Sequence, residues 1–409
     1  MKKLLTMIGA AAVAVGANAD MWTDLDTGIE WTYSINNADN KTITLGGGKS
    51  STTAMPKATV LDAANIPWTM DINNNGEPYT VTALAAYAFG DCTSLTGSLT
   101  IPDVVTSMGD HAFNNTRLDR VASLGGVTAI KGYTFEKAST LTTAMPDLSR
   151  VTSYGKGAFY GAKFSGVARI AENATFEGWK AFYGCSNLDV IFAPGPATGT
   201  SNINIQEIAR SATSLKIFYM GKNTKPTSGD GTMLSGVTGC KVFVPANGYW
   251  DGLVTGGTDN DVIYYGASTN LNLSVDEDAG VVTATPTDET ALVDVLESAP
   301  LFKTYLGWNT RVNITNTIEV ASGTITAAML NAVEFNTMLL TFKVNTQAQL
   351  DSVLAAVPAS TYPLLAIDAS DAKQELILPQ GREIYVRVSG DGKQGRYTPK
   401  IKGLIISFY

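Results

Sequence analysis

The chain has 409 residues, 44% of them hydrophobic and 16% charged, and a formal charge of −8. It is longer than one ordinary domain and apolar enough to bury several cores. The acidic balance repels phosphate backbones, which argues against a nucleic-acid partner, and three cysteines are too few for a disulfide framework.

At the N-terminus, Lys2 and Lys3 precede an apolar run from Leu4 to Val15 and the small residues Ala17, Asn18 and Ala19. That order predicts a signal peptide over 1–19, cut near Ala19, and an exported mature chain. A run of about 12 apolar residues is too short for a bilayer core that needs roughly 20, and no later run is longer, so no integral membrane span is expected.

Residues 20–78, with Trp22, Trp31 and Trp68, read as a β-rich cap over the open end of the segment beginning near residue 79. In this stretch Gly48, Lys49 and Ser50 resemble the end of a phosphate loop, but the required glycine five positions earlier is Ile43. Asp71, Asn73, Asn75 and Gly76 resemble half of a calcium loop, but its twelfth position is Thr82, and a polar turn is the better reading.

From Phe89 the chain repeats itself. Phe89, Phe113, Phe135, Phe159 and Phe182 recur at intervals of 24, 22, 24 and 23 residues. Each of the first four comes after a Val-Thr pair (81–82, 105–106, 127–128 and 151–152), and a second apolar beat falls at Leu95, Leu118, Leu141, Phe164 and Leu188. A unit this short closes no core alone, so each coil must bury its Val, Phe and Leu against its neighbours. The expected coil is a Val-Thr strand, a single helical or 3₁₀ turn at the Phe, and a second strand led by Leu. Phe182, Cys185 and Leu188 then face inward, and Cys92 and Cys185, four coils or about 19 Å apart, cannot pair.

The phrases Ala88-Phe89-Gly90-Asp91-Cys92-Thr93-Ser94-Leu95 and Ala181-Phe182-Tyr183-Gly184-Cys185-Ser186-Asn187-Leu188 resemble the repeat of BspA-like leucine-rich repeat proteins. The resemblance spans about 79–266, with degenerate closing coils after 195. Thr134 replaces the usual Ala, Thr116, Ala138 and Ala162 replace the Cys, and the coil ending near Met220 lacks its Phe, so those coils are expected to be looser. The resemblance implies a bacterial secreted or surface protein that works by binding, adhesion to host matrix or neighbouring cells being attributed to some members.

After about Ala267 the phrase is gone. Strands are expected at 271–275, 281–285, 337–344, 362–369, 374–378, 383–388 and 401–408, and helices near 288–298, 326–334 and 346–356, the last capped by Asn345 or Thr346. The fold class is therefore a β-rich leucine-rich repeat solenoid of about 23-residue period followed by an α+β, strand-rich domain over 267–409. The aromatic-ended C-terminal strand resembles that of outer-membrane barrels, but too few long alternating strands are present for a barrel.

Catalysis is not expected. The one histidine, His111, occupies the repeat position of Tyr87 and Tyr133, so no other imidazole base is available to a nucleophile. No cofactor or metal cluster is expected, and the acidic run Asp276, Glu277, Asp278 reads as a solvated loop.

The candidate binding row takes the outward residues of the second strands: Asp119 and Arg120, Thr142 and Thr143, Asp189 and Phe192, Lys216 and Tyr219. Aromatic residues mixed with charges suit recognition of a host or neighbouring-cell protein or glycan. The alternatives are an envelope or matrix component attached through 267–409 and, more remotely, a carbohydrate-active enzyme using C-terminal acids.

Overall fold

The computed structural model describes residues 19–195, 203–222, 225–227, 232–253, 257–321, 323–337, 340–357, 364–369, 376–378, 383–387, 394–397 and 404–406. The expected leader lies outside the described residues up to its last position.

Three antiparallel strands, Asp20–Thr23, Glu30–Asn37 and Thr42–Leu45, open the fold. The third pairs parallel with Tyr79–Leu84, which in turn pairs with Ser107–Met108, so the first strands are hydrogen-bonded into the repeats. Alternation along Glu30–Asn37 buries Trp31 and Tyr33 while Thr32 and Ser34 stay half-exposed.

Successive coils lie parallel. Leu99 pairs with Val121, and Ala129 with Ser153, which pairs in turn with Thr175. The Phe rings form one buried column, stacked at centroid distances of 5.2, 5.7, 5.7 and 5.3 Å from Phe89 through Phe113, Phe135 and Phe159 to Phe182. Ile208, wholly buried, takes the next place, and its carbonyl accepts from Phe182 N. The coil without a Phe is therefore filled by Ile208, and in the coils with altered residues the buried hydroxyls of Thr116 and Thr134 donate to the carbonyls of Phe113 and Lys131.

The Phe segment is not the helical or 3₁₀ turn expected. Residues of positive φ recur on both sides of each Phe: Tyr87 and Asp91, His111 and Asn115, Tyr133 and Lys137, Gly157 and Gly161. This alternation turns every second N–H toward the next coil, so Tyr87, Phe89 and Asp91 donate to Asp110, Ala112 and Asn114. A helix would direct those donors along its own axis; the flattened wall of turns uses them to join coils. Where the wall begins, the coils approach so closely that a Cβ on Gly109 or Gly178 would collide with the backbone nitrogen of Ala86 or Lys156 in the preceding coil.

From Gly166 a parallel sheet continues through Gly166–Arg169, Leu188–Ala193, Ile217–Met220, Lys241–Pro245 and Asp261–Tyr265. Its two faces bury different cores. Ile191, Ala193, Phe218, Met220, Val242 and Val244 belong to the repeat core, and Val190, Phe192, Ile217, Tyr219 and Phe243 to a second core shared with residues beyond 270.

Past 270 the parallel arrangement returns. Val281–Pro286 pairs with Asn309–Asn313, and that strand with Glu334–Thr337; Ile318–Ala321 pairs with Leu340–Lys343, and so on to Leu364–Asp368 and Glu383–Arg387. The helices Glu289–Leu301, Ala327–Asn331 and Gln347–Ala356 lie between strands, and a Thr346–Gln349 capping box opens the last. Three strands, Asn309–Asn313, Ile318–Ala321 and Gln394–Tyr397, fall outside the expected set, and the run expected over 337–344 is divided between two sheets. The repeat is thus lost as a phrase, while parallel register at similar intervals persists: Ile318 pairs with Leu340, and Thr341 with Ala366.

Candidate recognition surfaces

The predicted outward row is not one open surface. Asp119 and Arg120 are exposed, and Asp119 Oδ2 accepts from Gly97 N at 3.0 Å. Thr142 is exposed and Thr143 half-buried. Asp189 and Lys216 come together, with Lys216 N donating to Asp189 O at 2.8 Å, and burial holds the Asp189 carboxyl above its usual range despite Lys216 and Gly166 N.

Phe192 and Tyr219 also meet, 4.8 Å apart, but they are 1% and 6% exposed. Trp308 stands edge-on to Phe192 at 5.0 Å, and Phe302 packs on the adjoining Phe243 at 5.2 Å. The expectation that these two rings face solvent is therefore corrected: the C-terminal part of the same chain covers them. Arg169 seals the edge, lying 5.0 Å over the Trp308 ring, with Nη1 3.7 Å from Glu277.

The other motifs have local explanations. Both Asp71 oxygens accept backbone N–H groups, from Asn75 and Gly76, which makes the 71–76 segment a turn closed by its own carboxylate. Cys92, Cys185 and Cys240 are free and buried, and burial pushes the Cys92 and Cys240 thiols up to about 12, far from a reactive thiolate.

A different surface runs along the wall of turns. Tyr87, His111 and Tyr133 stack at 4.6 and 5.1 Å, Tyr160 meets Tyr133 edge-on at 6.5 Å, and Tyr183 stacks on Tyr160 at 4.7 Å. Trp179 extends the stripe, with Lys156 and Lys180 ammonium groups 4.3 and 4.4 Å from its ring. All of these residues are half-buried and none belongs to either core. Glu207 pairs with Lys180 and Arg210; burial works to raise its carboxyl, but those cations together hold it below the usual range.

Tyr87, His111 and Tyr133 share one repeat position, two before each Phe, and are recognisable as equivalent in the sequence. Trp179, Tyr160 and Tyr183 are not. The aromatic slot moves to the position after the Phe at 160 and 183, which hides the column from a fixed-position comparison.

Residues 68–223 match the BspA type leucine rich repeat region family in six copies. A search of curated proteins finds no match. Among solved structures, a leucine-rich repeat protein from Bacteroides ovatus ATCC 8483 is 14% identical with a TM-score of 0.31, covering 82% of this chain and 98% of its own. A leucine rich cell surface protein from Faecalibacterium prausnitzii A2-165 is 15% identical with a TM-score of 0.31, covering 82% and 97%. The matched region starts earlier and stops sooner than the resemblance over 79–266, although the strands at 241–245 and 261–265 extend the same parallel sheet. Residues 68–223 of the chain are thus similar to BspA-type leucine-rich repeats, six of which match in succession.

Proposed function

We propose that the protein is an exported, non-catalytic surface protein whose repeat solenoid binds a host or neighbouring-cell protein or glycan. In this reading 1–19 is the leader, 20–78 caps the solenoid, 79–266 forms it and 267–409 is a second unit docked on its sheet. The observation that carries the proposal is the stripe from Tyr87 to Tyr183 with Trp179 and its lysines: aromatic residues beside cations, reachable from solvent, along five coils. Tyrosine, tryptophan and arginine are the residues from which binding hot spots are made. The ordinary solvated-face alternative leaves such a column without a purpose but needs no ligand.

The family match and the leader-like N-terminus support export to a surface. His111 lies between two tyrosines with Nδ1 3.7 Å from Glu136, which suits packing better than general-base work.

The test screens the mature chain against matrix proteins and glycans, then compares Tyr133→Ala and Trp179→Ala. At about 2 kcal/mol or more per hot-spot residue, each should weaken binding by about thirty-fold. Unchanged binding by folded variants rules the stripe out.

A further inference from the structure

A cleft of about 710 Å³ opens where the end of the parallel sheet meets the strand Leu271–Asp276. Its volume falls within the roughly 300–1,000 Å³ span of small-molecule sites, and such sites favour seams between packed units. Tyr219 and Tyr265 form its base, their rings stacked at 5.7 Å. Glu172 and Glu277 stand on its rim, with Asn272 and Ser274 on the strand between.

The electrostatics narrow the ligand class. One rim carboxylate has a cation beside it, Arg169 Nη1 lying 3.7 Å from Glu277 Oε2, and near the other the Lys222 ammonium donates to the backbone carbonyls of Ala171 and Glu172. Lys222 is only 1% exposed, and burial pulls its ammonium down to about 8, with Glu172 opposing the shift. The carboxylates thus offer hydrogen-bond acceptors, with the Glu277 charge offset by Arg169 against burial and the neighbouring Asp278 and Glu172. Alternation along Leu271–Asp276 exposes Asn272 and Ser274, whose side chains make no hydrogen bond among the described residues. The Tyr219 ring is stacked on by both Phe192 and Tyr265, so it offers the cleft no open face and recognition rests chiefly on the polar groups.

We propose that this cleft binds a neutral, hydroxyl-rich ligand, a short oligosaccharide, through Glu172, Glu277, Asn272 and Ser274. Paired carboxylates accept from vicinal hydroxyls, while an amide and a hydroxyl both donate and accept, which is the complement a sugar ring requires. A strongly charged ligand would instead meet a like charge, either a rim carboxylate or a neighbouring cation. The site is separate from the aromatic stripe, so the two stand or fall independently.

The experiment is saturation-transfer NMR on the full mature chain with a panel of neutral di- and trisaccharides, followed by titration of any that bind. Glu172→Gln, Glu277→Gln and Asn272→Ala are expected to raise the Kd about ten-fold or more, as loss of a hydrogen bond to a charged or buried polar group would. Asn272→Ala leaves the Arg169 pairing intact and guards against misfolding of the glutamate variants, whose fold is checked by circular dichroism. Trp179→Ala should leave saccharide binding unchanged. Absence of binding across the panel, equal affinity in folded variants, binding confined to charged probes, or loss only in Trp179→Ala would each overturn the assignment.

Discussion

Phe182 and Phe192 lie ten residues apart and are both inside the protein, but they belong to different cores. Phe182 completes the repeat column. Phe192 points the other way from a strand whose pattern, LDVIFA, is apolar on both faces, as are IFYM and KVFVP beside it. In a parallel sheet a continuous apolar run marks a strand covered on both sides. The strands at 98–100 and 120–123, with polar residues between single buried ones, have only one covered face. That contrast is legible in the sequence, but the segment that covers the second face, and with it the removal of Phe192 and Tyr219 from the binding row, is set by the fold.

Two predictions belong to single residues. Phe113 is wholly buried between rings at 5.2 and 5.7 Å, so Phe113→Ala should cost about 3–5 kcal/mol by transfer and cavity formation. Urea denaturation measures it, and a loss under about 1 kcal/mol, close to the cost of a single methylene, would show the column is not cooperative with its coil. Asp294, on the helix Glu289–Leu301, is raised from 3.8 to about 6 by burial and then by Asp261, with Lys241 opposing. An acid raised in the folded state binds more protons folded than unfolded, so its contribution to stability falls as pH climbs from about 3.8 to about 6. Asp294→Asn should therefore raise the melting temperature at about pH 8 and leave it nearly unchanged at about pH 4; an equal shift at both pH values would dismiss the titration.

At the scale of the element, the wall of turns explains why the Phe phrase is rich in Gly, Asn and Asp around its aromatic centre. Left-handed backbone costs an ordinary residue roughly 1–2 kcal/mol, which the repeat accepts twice per coil in exchange for hydrogen bonds between coils. Lys137 holds φ of 55° at an exposed position where later coils carry Gly161 and Gly184. Lys137→Gly should stabilise by about 1 kcal/mol, the relieved strain exceeding the added freedom of the unfolded chain. Lys137→Val should destabilise, and thermal melts of the pair must move in opposite directions if the conformation is the cause. A helical turn does not form here because periodicity reports which side a residue faces, whereas the φ alternation is selected by hydrogen bonds to the neighbouring coil. Beyond 270, by contrast, the 288–298 and 346–356 helices are recognisable from apolar spacing and caps, and the short strand Asn309–Asn313 is not, because Val312 is its only aliphatic residue.

For the whole molecule, the second core makes the C-terminal part a cover for the sheet. Gly307, at φ of 74°, ends the helical segment before it and turns the chain so that Trp308 reaches Phe192. Truncation after Gly266 would leave Phe192, Tyr219 and Phe243 in water and should produce an aggregation-prone protein that binds a hydrophobic dye. A soluble, dye-silent fragment with an unchanged melt would mean the sheet face is tolerated bare.

The sequence by itself determined the repeat, its period, the stacking of coil on coil and the inward set of Phe, Leu and Cys. These arise from a local rule, that a coil too short to close a core must copy its apolar positions onto its neighbours. Only the tertiary structure decided that the outward rings of Leu188–Ala193 and Ile217–Met220 are covered, that the aromatic column shifts position along the wall, and that a cleft forms at the seam. Each depends on segments separated by tens of residues meeting in space, Phe192 with Trp308 or Glu172 with Glu277 across one rim, and no periodicity within either segment records its partner.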